Sequence, residues 1–279
     1  MRIAQVVLLA LILVSCSGRT SRSVTKPSRV VSVTITGDVI LQALLDSSRV
    51  LAVCNLADDS GIHEVAGLFP GKPRVGPDLE KIVSLRPDLV LIGSFHDPAF
   101  RDGIRRSGLA TEVLDDPNSL AKIREFLRRV SRRLGEGPRG DSLVGWMDSV
   151  LAVAHSTATR CPDHPRVLYW SDGFTAGDSS TIGDILTLVG ARNAASELGI
   201  HGSKAISTED VVRLSPDWIL RTSWESDAGM KPFPAAILDL PAVRAGRIIV
   251  LPGKLLLSTS HRSALAAVAL SHKLHPGCP

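Results

Sequence analysis

The chain has 279 residues, 44% of them apolar and 4% aromatic, with a formal charge of +4. It holds enough apolar material for one large domain or two smaller ones. The mild charge, and the lack of any basic run interleaved with aromatics, exclude nucleic acid as an expected partner.

At the amino end, Arg2 precedes the unbroken apolar run Val6–Val14. The run falls short of the about 20 residues that a membrane span needs, and it has the layout of a secretory signal. Its ending, Leu13-Val14-Ser15-Cys16, resembles the bacterial lipobox. That resemblance implies cleavage before Cys16 and diacylation of the cysteine; the alternative is an ordinary signal peptide cut nearby. Residues 1–16 are therefore expected to be a signal peptide with lipobox. Residues 17–28, rich in Ser, Thr, Arg and Lys and free of aromatics, read as a flexible tether.

Beyond the tether, Arg29–Val33 is a β-branched strand, and Gly37-Asp38 opens a helix over Val39–Leu45. Val50–Val53 is the next strand, and the Cys54 that ends it is expected to be a buried free thiol. After a polar loop, Asp78 caps a helix over Leu79–Leu85 that must stop before Pro87. Asp88–Gly93 is a continuous apolar strand of the kind buried on both faces of a parallel sheet. A helix over Phe100–Ser107 and a strand over Ala110–Leu114 complete this alternation, which argues for a parallel α/β sheet.

A basic helix with one apolar stripe (Leu120, Ile123, Leu127, Val130, Leu134) follows. A break over Gly135–Gly140 separates it from a second long helix over Leu143–Ala154. The strand Arg166–Trp170 then restarts the pattern: Gly183-Asp184 opens a helix over Ile185–Val189, Ser207 caps a helix ended by Pro216, and Asp217–Arg221 is a buried strand. A strand over Arg247–Leu251 and an amphipathic helix over Ser263–Leu274 close the chain.

The two halves are related by a direct repeat. Glu80–Leu91, EKIVSLRPDLVL, recurs as EDVVRLSPDWIL at Glu209–Leu220, with six of twelve positions identical and a constant offset of 129 residues. One repeat at this separation predicts twin halves rather than a solenoid of short units. Twin lobes imply a cleft between them, where small ligands bind. The expected division is an N-terminal lobe over 29–117, a helical linker over 118–160 and a C-terminal lobe over 161–279.

The remaining cysteines and histidines carry weaker signals. Export permits disulfides, and a bridge between Cys161 and Cys278 would pin the carboxyl end to its own lobe; the alternative is two free thiols. His63, His96, His201 and His261 could supply a transition-metal site, but no His/Cys cluster has zinc-site spacing, so no metal site is assigned. Ser94, His96 and Asp97 lie close in sequence without a Gly-x-Ser-x-Gly elbow, and Gly71-Lys72-Pro73 lacks Walker spacing. No enzyme is expected.

Glu-x-[Ile/Val]-Val-x-Leu-x-Pro-Asp in each half, AVRAGRIIVLPG at Ala242–Gly253 and the close Leu274-His275-Pro276 together resemble a known family. It is that of the substrate-binding proteins of ABC importers for ferric siderophores, haem and cobalamin. The resemblance spans roughly Arg29 to Pro276. It implies two Rossmann-like α/β lobes with mostly parallel sheets joined by a long helical linker, and a ligand held between them. It also implies permease docking through Glu80 and Glu209, each in the first turn of a helix, where the dipole favours a carboxylate.

The resemblance further implies a monomer, lipid-anchored on the periplasmic or outer face of a bacterial membrane. Its partners are an ABC permease with its ATPase and a small-molecule metal chelate, either a ferric siderophore or cobalamin, with no resident cofactor. A haem- or transition-metal-binding protein of the same fold, or a surface sensor or hydrolase, are the alternatives. Candidate ligand residues follow the strand ends: Thr34, Thr36, Asp58, Phe95, His96, Trp170, Ser171, Phe174, Trp224 and His261. Aromatic faces among them suit a flat corrin or aryl siderophore. Tyr169, the single tyrosine, could ligate haem iron but sits in an apolar strand, where a half-buried core position is expected.

Overall fold

The computed structural model describes residues 26–277 apart from 64–65, 68, 162 and 225–229. Cys16 and Cys278 lie outside the described residues. The first lobe comprises β1 (Val30–Ser32), α1 (Ile35–Leu44), β2 (Val50–Cys54), β3 (Arg74–Val75), α2 (Leu79–Ser84), β4 (Leu89–Gly93), α3 (Pro98–Arg106) and β5 (Thr111–Leu114). Its five strands are parallel, in the order β3-β2-β1-β4-β5. The sheet is covered on both faces, which is why these strands read as unbroken apolar runs. Val31, Ala52, Val90 and Ile92 pack with Ile82 and Ile104 on one side, while Val30, Val50, Leu89 and Leu91 pack with α1 on the other.

Two helices, α4 (Leu120–Arg133) and α5 (Gly137–Arg160), lead to the second lobe. That lobe contains β6 (Arg166–Tyr169), β7 (Phe174–Ala176), α6 (Thr181–Leu188), β8 (Arg192–Asn193), β9 (Ser203–Ala205), α7 (Thr208–Leu214) and β10 (Trp218–Ser223). It closes with α8 (Ala235–Leu238), α9 (Pro241–Arg244), β11 (Ile248–Pro252), α10 (Gly253–Leu256) and α11 (Ser263–Leu274). Its main sheet is parallel with order β11-β10-β6-β8, and β7 pairs antiparallel with β9. The expected α/β class, with two lobes and a helical link, is what the chain adopts.

A single apolar cluster runs from the first sheet through Ile123, Leu127, Met147 and Leu151 to Ile249 and Leu270 beneath the second. Helix α5 is its spine, packing against α1, α4, α6 and α11. Tyr169 is 5% exposed within this shared core, deeper than the half-buried position its strand suggested.

Three local expectations are corrected. Helix α1 starts before Gly37, because Thr34 in extended conformation takes the Gly37 N–H on its hydroxyl at 2.9 Å and so caps the helix three residues upstream. The interhelical break is confined to the residues around Gly135, whose φ of 73° suits glycine. Helix α5 then starts at Gly137, because Pro138 fits a first turn where its missing N–H costs nothing. The β7–β9 ribbon was not anticipated at all, since Phe174–Ala176 is too short to show a period.

Candidate functional site

Both sheets reverse their strand order once, between β1 and β4 in the first lobe and between β6 and β10 in the second. Ligands of open parallel sheets collect at such switch points, beyond the carboxyl ends of the strands. A cavity of about 360 Å³ lies there, walled by Ile35, Thr36 and Ile62 from the first lobe and by Trp224, Gly253, Lys254 and Thr259 from the second. A smaller cavity of about 210 Å³ shares Leu257, Ser258 and Thr259 and extends to Asp116–Asn118 and Ser179–Ile182. Burial alone pushes the Asp116 carboxyl up from its ordinary range.

The lobes touch across this gap. The Thr36 and Thr259 hydroxyls lie 3.0 Å apart, and the Lys254 ammonium donates to the Ser60 carbonyl at 2.7 Å. The Trp224 indole lies against Gly253 so closely that a Cβ there would stand 2.4 Å from the ring and the indole would have to move.

Of the sequence-derived candidates, Thr36 and Trp224 line the larger cavity. Phe95 is 75% exposed and stacks at 4.7 Å on His96. His96 accepts the Gly93 N–H on Nδ1 at 3.1 Å, and burial, then Arg101, lowers its pKa. Phe174 projects from β7 into solvent. Thr34 serves as the α1 cap, and the Ser171 hydroxyl pairs with that of Thr222 at 3.1 Å.

Three candidates are engaged elsewhere. The exposed Asp58 carboxylate holds Arg74 by two bonds of 2.6 and 2.7 Å, and that hydrogen bonding lowers its pKa. Trp170 is buried beside Phe233, with the Arg221 guanidinium stacked over both rings. His261, 6% exposed, packs edge-on against Trp146 of α5, and its pKa is pushed down to about 4 by burial and then by Arg262.

Glu80 and Glu209 both lie exposed in the first turn of their helices, behind the caps Asp78 and Ser207. Neither forms an ion pair among the described residues. A helix that feeds a parallel strand runs against it, so the starts of α2 and α7 stand at the strand ends where the cavity opens. Cys54 is free and buried, Cys161 is disulfide-bonded, and Cys278 is not among the described residues.

Ile62, Lys254, Ser258 and Thr259 escaped the sequence reading. Lys254–Thr259 follow the last strand, and treating that strand end like the others would have found them. Arg221 also escaped, because a guanidinium inside an apolar strand leaves no periodic mark; its Nε has no hydrogen-bond partner among the described residues, and burial lowers its pKa.

The chain is 26% identical over 154 residues to the ABC transporter substrate-binding lipoprotein YvrC of Bacillus subtilis, a match covering 52% of this chain and 48% of that protein. It is 24% identical over 198 residues to a cobalamin-binding protein of Halobacterium salinarum, covering 70% of this chain and 54% of the relative. It thus spans about half the length of these relatives. The periplasmic haem-binding protein RhuT of Roseiflexus sp. RS-1, in apo form, superposes with a TM-score of 0.74 at 26% identity, covering 90% of this chain and 99% of that one. The periplasmic binding protein family matches residues 30–255, from the start of β1 into α10, and the chain belongs to that family.

Proposed function

We propose that the chain is the substrate-binding component of an ABC importer, taking a ferric siderophore or cobalamin between its lobes and delivering it to a permease. The observation that carries this reading is the two-lobed cavity at paired switch points, with one exposed glutamate standing at the cleft level of each lobe. Two matching anionic points, one on each lobe, suit docking on a basic permease surface. The division at 29–117, 118–160 and 161–279, and the anchoring of a monomer through Cys16, belong to the same proposal. The lipoprotein named among its relatives supports the anchor.

At about 360 Å³ the cavity sits at the small end of ligand pockets, which run from about 300 to 1,000 Å³. A siderophore or corrinoid therefore has to part the Thr36–Thr259 and Lys254–Ser60 contacts, a small opening about the α4–α5 link rather than a wide hinge swing. The haem reading is supported by the likeness to RhuT. The buried position of Tyr169 removes the one tyrosine available as an iron ligand.

The test pairs thermal melting of the purified chain against cyanocobalamin, a ferric hydroxamate and haem with uptake by cells carrying Glu80→Ala/Glu209→Ala. Stabilisation by one of the first two compounds, and lost uptake at unchanged affinity, are expected. No shift with any of the three, or affinity lost together with uptake, overturns the reading.

A further inference from the structure

The Asp38, Cys54 and His63 side chains, far from one another in sequence, converge inside the first lobe. Asp38 is in the first turns of α1, Cys54 ends β2, and His63 closes the turn that follows. They are 0%, 1% and 2% exposed, in that order. The His63 Nε2 lies 3.3 Å from Asp38 Oδ2, and the Cys54 N–H donates to the same carboxylate at 3.1 and 3.3 Å. A carboxylate oxygen, a thiol sulfur and an imidazole nitrogen are all within 4.8 Å of one another.

A carboxylate wholly out of water needs a compensating positive charge. The donor set also has a chemical preference. Oxygen, sulfur and nitrogen together suit a borderline-soft ion, whereas calcium and magnesium take oxygen ligands. Tetrahedral zinc with bonds of about 2.0–2.3 Å holds its ligand atoms roughly 3.3–3.8 Å apart, so the trio needs to close by only about 1 Å. The charge also balances, since a thiolate and a carboxylate match a divalent cation while the imidazole stays neutral.

We propose that Asp38, Cys54 and His63 form a structural site for one zinc-class divalent cation, unrelated to any ligand between the lobes. Binding would move the Cys54 proton to solvent and leave a fourth position for water or a further donor. Because the ion displaces that proton, affinity should rise with pH. The ion would fasten the Asn55–His63 turn to α1. Both of these elements line the interlobe cavity, through Ile62 on the turn and through Ile35 and Thr36 on the helix.

The test uses the full chain, stripped with a chelator and dialysed, then titrated with Zn²⁺ and with Co²⁺. One equivalent retained through gel filtration, a Zn²⁺-dependent rise in Tm of several degrees, and a thiolate-to-Co²⁺ charge-transfer band are expected. Cys54→Ser should abolish the band, and His63→Gln should weaken binding by roughly 10-fold or more. The exposed His272→Ala should change nothing. Should Cys54→Ser fail to fold, the wild-type Co²⁺ spectrum and the protection of Cys54 from alkylation by Zn²⁺ decide the matter. No retained metal, Co²⁺ bound without a thiolate band, or an alkylation rate indifferent to Zn²⁺ each overturns the site. Because none of these readouts involves transport, the outcome is separable from that of the importer reading.

Discussion

Asp217 receives the backbone N–H of Arg166 at 2.8 Å, and the Arg166 guanidinium returns to the helix before it, donating to the Leu214 and Ser215 carbonyls at 2.8 and 3.0 Å. The first lobe repeats the device. Asp88 accepts the Ser28 and Arg29 N–H groups at 2.7 and 2.9 Å, and Arg29 caps Leu85 and Arg86. Each Pro-Asp pair thus turns the chain from helix to strand and ties that strand to its neighbour, with Arg86 and Ser215 at positive φ between the helix end and the proline. Asp217→Ala should cost about 1–3 kcal/mol, the usual penalty for orphaning such donors. Urea unfolding measures it, and a midpoint unchanged from wild type would refute the role.

His261 makes stability depend on pH. Burial, aided by Arg262, holds its folded pKa at about 4 against an ordinary 6.5. The unfolded chain therefore binds a proton that the folded chain refuses between those values, so stability is full above pH 6.5 and falls as the pH drops towards 4. The span is worth about 3 kcal/mol. His96, lowered by burial and Arg101, acts with the same sign. Unfolding free energies taken at about pH 7 and about pH 4.5 should differ by less in His261→Asn than in wild type. Equal differences in the two proteins would contradict this account.

The lobes were legible in the sequence because the repeated Glu-to-Leu segment encodes a cap, a helix stop and a buried strand in order, and each step has a local cause. The Asp78 and Ser207 caps lie where side-chain chemistry placed them. The cleft was only half legible. A position after a strand end predicts nearness to the switch point but not which way a side chain turns. Trp224 turned towards the gap, Trp170 folded under Phe233, and His261 swung onto Trp146 of a helix remote in sequence. The Asp38–Cys54–His63 cluster was invisible for the same reason, since its members meet only through packing.

The disulfide at Cys161 closes α5 at the base of the second lobe. The described residues Leu274, His275 and Pro276 line one cavity with Cys161, so Cys278 is predicted to be its partner. A tryptic map under non-reducing conditions should contain one peptide pair joining these two cysteines. Cys161→Ser should lower stability by about 2–5 kcal/mol, with more fraying of α11 than of the first lobe. A map pairing Cys161 with Cys16 would show the assignment to be wrong.

Trp224 offers the sharpest probe of the cleft. Its ring lies against Gly253 and lines the interlobe cavity together with Ile35 and Thr36, so it offers apolar area to a bound ligand. Central aromatic anchors carry about 2 kcal/mol or more of binding energy, which corresponds to a roughly 30-fold loss of affinity on truncation. Trp224→Ala should therefore weaken cyanocobalamin or ferric hydroxamate binding by at least that factor, read by calorimetry. Because the indole is half-exposed, global stability should drop by no more than about 1 kcal/mol. Affinity preserved in Trp224→Ala, alongside affinity lost in Phe174→Ala, would move the binding surface from the gap between the lobes to the β7–β9 ribbon.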